Sequence, residues 1–77
     1  MDKRKIRKFN RICNELAEFM SEVHEINPDI ELFVAGECVT SAMLIDTKGN
    51  GPEWWRDNQD ECVLADVIIP YADCGGI

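Results

Sequence analysis

The sequence predicts an α+β fold in which one long N-terminal amphipathic helix packs on a three-stranded, mostly antiparallel sheet. Three observations support this fold. An apolar repeat of helical spacing fills the first third of the chain, two alternating segments flank Gly36-Glu37, and a third alternating segment lies near the C-terminus. Because a chain of 77 residues has no room for a second hydrophobic core, residues 1–77 are expected to form a single domain.

Apolar side chains in the first third recur at alternating intervals of three and four residues, as one face of an α-helix requires. The members of this apolar stripe are Ile6, Phe9, Cys13, Leu16, Met20 and Val23, flanked by Ile12, Phe19 and Ile26. Pro28 disfavours the α conformation in the residue before it, so the predicted helix covers about residues 2–26. A stripe this broad suits packing on a sheet better than a two-stranded coiled coil.

The next two segments alternate between apolar and polar residues and predict strands over about residues 30–35 and 38–46. Gly36-Glu37 between them fits a two-residue type II′ hairpin turn. That turn pairs Val34 with Val39, and it gives the sheet one apolar face that we expect to seat the apolar stripe. The members of that predicted face are Ile30, Leu32, Val34, Val39, Met43 and Ile45.

Beyond residue 46 the chain is rich in turn-forming residues, and Pro52 suits the first position of a short helix. A third strand is predicted over about residues 62–69, where alternation resumes and then stops at Pro70. Residues 71–77 contain Gly75-Gly76 and are expected to fray.

Charge is unevenly distributed along the chain. Eight Lys and Arg oppose fifteen Asp and Glu, a net charge of −7, which argues against a protein that coats nucleic acid or a basic membrane-surface peptide. Residues 1–11 nevertheless carry +5 and residues 12–77 carry −12. The cations of the first turns, named here the basic segment, are Arg4, Lys5, Arg7, Lys8 and Arg11. No apolar leader precedes them, so we expect a cytoplasmic protein with reduced thiols and no membrane-bound segment.

A polar stripe on the predicted helix is basic in its first half and acidic in its second. It consists of Arg4, Lys8, Arg11, Glu15, Glu18, Glu22 and Glu25. Two antiparallel copies would place each basic half against the acidic half of the other copy, which is the self-complementarity that a two-fold homodimer requires. The alternative is a solvated helix face on which Arg11 and Glu15 form a weak pair. The small core favours the homodimer.

Exposed carboxylates and two adjacent tryptophans are the candidate contacts for a protein partner. The predicted set is Glu15, Glu18, Glu22, Glu25, Trp54, Trp55, Asp57, Asp60 and Glu61. Such carboxylates could stand where a DNA-binding protein expects phosphates, and the chain resembles small acidic inhibitors of phage origin in size and charge only. Simple solubility is the alternative explanation for the acids. For the tryptophans, the alternative is that one covers the helix–sheet seam while the other lies on the surface.

No motif indicates catalysis, a cofactor or a metal. None of the four cysteines lies at the short C-x₂₋₄-C spacing of a zinc site, and His24 has no nucleophile placed beside it by sequence. Cys13 and Cys38 are expected to behave as small apolar residues. We therefore predict a non-enzymatic protein-binding module without cofactor, and as the alternative a small regulator that binds nucleic acid through the basic segment.

Overall fold

A computed structural model describes residues 1–36 and 38–73 and confirms the α+β class. Its elements are α1 (Lys3–Ile26), β1 (Ile30–Ala35), β2 (Thr40–Asp46), α2 (Pro52–Asp57), α3 (Gln59–Cys62) and β3 (Val63–Ile69). The strands form one antiparallel sheet in the order β1-β2-β3. The short helix predicted before the third strand is present as α2 and α3, and Pro52 begins it as expected.

Residues next to both ends of helix α1 define where it begins and ends. At its start the Oδ1 atom of Asp2 accepts a hydrogen bond from the backbone amide of Arg4 at 2.9 Å, so Asp2 acts as the N-cap. At its end the amide of Asn27 donates to the carbonyl oxygen of Val23 at 2.8 Å, and Pro28 follows. The helix therefore has the bounds that periodicity and Pro28 predicted.

The predicted two-residue hairpin turn is wrong. Ala35 pairs with Ser41, so five residues, 36–40, lie between the last paired residues of β1 and β2, and Leu32 pairs with Leu44 where the short turn would have paired it with Ser41. The chain doubles back closely at Gly36, where an added Cβ would overlap the carbonyl oxygen of Val39. A connection of five residues in place of two shifts the pairing by three, an odd number, which exchanges the two faces of β2 relative to β1.

The corrected register divides the sheet into two faces of different character. The outer face carries Leu32, Val34, Ala42, Leu44, Ala65, Val67 and Ile69. The core face carries Phe33, Met43, Ile45 and Val63. The predicted apolar face, which joined Leu32 and Val34 to Met43 and Ile45, is therefore split between the two sides of the sheet.

The hydrophobic core lies on the core face, beneath α2 and α3. Its buried members are Ile45, Trp55 and Cys62, and Trp55 meets Phe33 edge-on with ring centroids 4.8 Å apart. The thiol of Cys62 donates to the carbonyl oxygen of Asn58 at 3.2 Å. A tryptophan and a short C-terminal helix thus fill the position that sequence periodicity had assigned to α1.

Helix α1 packs on the sheet through β1, and none of its residues is fully buried. Met20 and Val23, near its C-terminal end, are half-buried, whereas every residue from 1 to 19 is exposed. The expectation that the sheet seats the whole apolar stripe is therefore wrong. Only the last two turns of the helix meet the sheet.

Strand β3 ends at Ile69, and the chain turns at Pro70 and Tyr71 before the described part ends at Asp73. The hydroxyl of Thr40 donates to the carbonyl oxygen of Ala72 at 2.7 Å, which ties the chain after β3 to the start of β2. The predicted fraying of residues 71–77 stays a prediction, since residues 74–77 lie outside the described residues.

Candidate partner-binding surfaces

The carboxylates of α1 form a continuous exposed ridge on the second half of the helix. This acidic ridge consists of Glu15, Glu18, Glu22 and Glu25, and all four are exposed. At a helical rise of about 1.5 Å per residue the ridge is roughly 15 Å long, one charge per ~5 Å. One strand of duplex DNA carries a charge every ~3.4 Å along its axis, so the ridge approaches the linear charge density of a single phosphate strand.

The basic segment occupies the first half of the same helix and is exposed throughout. Arg4, Arg7, Lys8 and Arg11 line a shallow depression of about 360 Å³, while Lys5 lies outside it. Cations at a helix N-terminus oppose the macrodipole, and the only acid there is the N-cap Asp2. Helix α1 is therefore strongly bipolar, with its cations and carboxylates on successive halves of one rod.

The polar stripe and the apolar stripe lie on different sides of α1. With 3.6 residues per turn, Arg11 and Glu18 point away from the side that carries Phe9 and Leu16. A second copy packed on the apolar stripe would leave both acidic ridges facing outward and available to another partner. The predicted pair, in which the two polar stripes meet, would instead leave both apolar stripes in water.

The two tryptophans have different environments. Trp55 is only 4% exposed and belongs to the core, so its predicted role as a contact residue is wrong. Trp54 is half-buried and lines a shallow groove together with Pro52, Glu53 and Arg56. Only Trp54 can offer an indole edge to a partner.

The acidic residues of α2 and α3 form a second group, separate from the acidic ridge. Asp57, Asp60 and Glu61 are exposed on helices that cover the core face, whereas α1 makes its main contacts with β1. The predicted contact set is thus divided between two surfaces, and no single site unites them.

An exposed apolar surface on the sheet is a feature that sequence reasoning missed. On the outer face Leu32, Val34, Val67 and Ile69 are between 36% and 58% exposed. The signal was present in the alternation of the strands. The assumed turn length placed Leu32 and Val34 beneath α1 and left Leu44 on the half-polar face.

Chemical sites are sparse among the described residues. Within 1–36 and 38–73, no group of three or more His, Cys, Asp and Glu is arranged to hold a metal ion. Cys13 and Cys38, which were expected to behave as small apolar residues, are exposed free thiols, while Cys62 is buried. None of the helices in the described part is both long and apolar enough to cross a bilayer. Comparison of the chain with protein-family models, with curated proteins and with solved structures finds no match.

Proposed function

We propose that this protein is a small, non-enzymatic binding module that acts by occupying the surface of a partner protein. The acidic ridge is the contact surface. The partner is a protein that handles nucleic acid, and the module inhibits it by presenting carboxylates where that protein binds phosphates. A phage or other mobile element that must disable a host defence protein is a natural source for such an inhibitor.

Exposure of the acidic ridge is the observation that carries this proposal. Four carboxylates follow one line of a helix in which no residue is buried, so a partner can reach the ridge without any rearrangement of the fold. Their spacing suits a protein groove that follows one nucleic-acid strand. Solubility alone does not require acids to be aligned, because scattered charges keep a small domain dispersed equally well.

Charge reversal on the ridge tests the proposal. The chain is immobilised and used to capture proteins from its source cell, beside a variant carrying Glu18→Lys and Glu22→Lys. We expect the variant to lose the captured protein, and duplex DNA added to the wild-type complex to release it, because both compete for one cationic surface. Capture that survives both treatments would refute binding through the ridge.

Two further variants serve as matched controls, since each changes the net charge by the same +4. One carries Glu31→Lys and Asp66→Lys, which are exposed on the sheet, and it should capture the partner as the wild type does. The other carries Asp57→Lys and Asp60→Lys on the second acidic group. If only the variant with Asp57→Lys and Asp60→Lys loses the captured protein, the contact surface lies on α2 and α3 and not on α1.

A homodimer is the second part of the proposal. The buried apolar residues in the described part of the chain are Ile45, Trp55 and Cys62, which is a small core for a domain of this length. Association between copies would supply the missing burial. Light scattering across a range of protein concentrations measures this directly, and a monomer throughout would refute it.

Nucleic-acid binding through the basic segment is the competing function. The observation in its favour is the depression lined by Arg4, Arg7, Lys8 and Arg11, where four cations converge on one side of a helix. Gel shifts at low salt distinguish the two functions. A complex that disappears when Lys5, Arg7 and Lys8 are neutralised would establish the regulator, whereas the absence of any complex would exclude it.

A further inference from the structure

Within the described residues, two apolar surfaces are left largely in water. The first is the exposed part of the apolar stripe, Ile6, Phe9, Ile12, Leu16 and Phe19, each between 43% and 65% exposed. The second is the exposed part of the outer face, Leu32, Val34, Val67 and Ile69. Monomeric proteins rarely leave apolar patches of such extent in water, and larger ones mark interaction sites.

The chain cannot bring these two surfaces together by itself. The connection from α1 to β1 spans only residues 27–29 and is tied to the end of β2. The amide and hydroxyl of Thr47 both donate to the carbonyl oxygen of Asp29 at 2.9 Å, and the side-chain amide of Asn27 donates to Asp46. These bonds hold α1 beside β1, with too little slack for the helix to swing across its own sheet.

We infer that a second copy of this chain covers both surfaces, with the exposed apolar stripe of each copy lying on the outer face of the other. This inference rests on the proposed homodimer and specifies how it is built. A two-fold axis generates both contacts at once, because the stripe of one copy meets the face of the other and the reverse. An antiparallel pair of α1 helices alone would leave the outer face in water.

The dimensions of the two surfaces match. The stripe from Ile6 to Phe19 is roughly 20 Å long on a helix about 10 Å wide. Strands of six and seven residues at ~4.8 Å spacing give a three-stranded face roughly 20 Å by 10 Å. A half-exposed apolar side chain can bury on the order of 100 Å². The nine residues of the two surfaces therefore offer roughly 900 Å² of apolar area per copy. A standard protein–protein interface buries ~800 Å² per partner.

Net charge is compatible with the same arrangement. Residues 1–11 carry +5, whereas residues 27–77 carry ten Asp and Glu against Lys48 and Arg56, a net charge of −8. The first half of α1 and the rest of the partner copy therefore attract each other through their net charges, without close pairing of the side chains. The acidic ridge, on the other side of α1, stays exposed for the target protein.

Aspartate substitutions on the two surfaces test this arrangement by light scattering. Phe9→Asp and Val67→Asp change residues that are exposed in each copy, so folding, checked by circular dichroism, should be retained. Each should weaken dimerisation roughly 100-fold or more, because an unpaired carboxylate would be buried in the interface. Ile68→Asp, exposed at 61% on the other side of the sheet, is the matched control and should remain dimeric.

Mixing the two monomeric variants gives the decisive result. A heterodimer of Phe9→Asp with Val67→Asp regains one intact stripe-to-face contact, so dimers should reappear in the mixture and in neither variant alone. If Phe9→Asp weakens the dimer and Val67→Asp does not, the contact between stripe and outer face is refuted. The two copies would then pair helix to helix, and the proposed homodimer would stand. If the wild-type protein is a monomer, both the homodimer and this arrangement of its copies are refuted. Neither of these two outcomes affects the test of the acidic ridge with Glu18→Lys and Glu22→Lys.

Discussion

Replacing Trp55 by alanine should remove a large part of the stability of this chain, whereas the same change at Trp54 should not. Trp55 is 4% exposed and packs edge-on against Phe33 in a small core. Truncating a buried tryptophan costs about 3–5 kcal/mol. A domain of this length is stable by roughly 4–12 kcal/mol, and a small core places it near the lower limit. We therefore expect the Trp55→Ala variant to be largely unfolded or to unfold at very low urea.

Trp54 provides the matched control one residue away. It is half-buried on α2 and packs against the core without belonging to its buried residues, so Trp54→Ala should cost about 1–2 kcal/mol. Urea unfolding is followed by far-ultraviolet circular dichroism, because fluorescence changes when either indole is removed. All variants are compared at one protein concentration, since association would contribute to apparent stability. A larger loss for Trp54→Ala than for Trp55→Ala would show that the core is not where the structure places it.

Three further substitutions test local features of the fold, each by urea unfolding. Asp2→Ala removes the N-cap of α1 and should lower the free energy of unfolding by about 1 kcal/mol. Asp2→Asn keeps a capping oxygen and should lower it far less. Equal losses of stability in the two variants would rule out capping by Asp2. Gly36→Ala places a Cβ against the carbonyl oxygen of Val39 and should cost about 1–3 kcal/mol, while a neutral effect would contradict the close approach of Gly36 to Val39. Thr40→Val removes the hydrogen bond to Ala72 and should lower the free energy of unfolding by about 0.5–1.5 kcal/mol. Thr40→Ser retains the hydroxyl group and should stay close to the wild type. An equal loss of stability in Thr40→Ser would show that this hydrogen bond does not stabilise the fold.

Local pattern was sufficient to predict most secondary structure in this chain. The bounds of α1 followed from the three-and-four repeat and from Pro28, and the short helix before β3 followed from Pro52. Both signals work because helix geometry and proline stereochemistry act over a few neighbouring residues. They need no knowledge of what packs on the element.

The pairing of β1 with β2 shows where such reasoning fails. Gly36 is compatible with several turns, and the choice between a two-residue connection and the observed five-residue one depends on the energy of the whole ladder. The five-residue connection puts Phe33 on the same side as Met43 and Ile45. Trp55 then completes a core on that side, which leaves Leu32 and Val34 on the outer face.

The candidate binding surfaces divide in the same way. The acidic ridge could be predicted from sequence, because its members share one side of a helix whatever the helix packs against. The burial of Trp55 and the exposure of the outer face could not be predicted from sequence. Burial of a residue depends on which distant parts of the chain pack against it.

The amino-acid sequence alone determined the class of the fold, the extent of α1 and the separation of its charges, since covalent spacing sets which side chains share a side of an element. Tertiary structure decided the strand register, the tryptophan that enters the core and the apolar surfaces that remain in water. Those outcomes depend on competition between contacts that are distant in the chain, and a shift of a few residues in one connection reverses them.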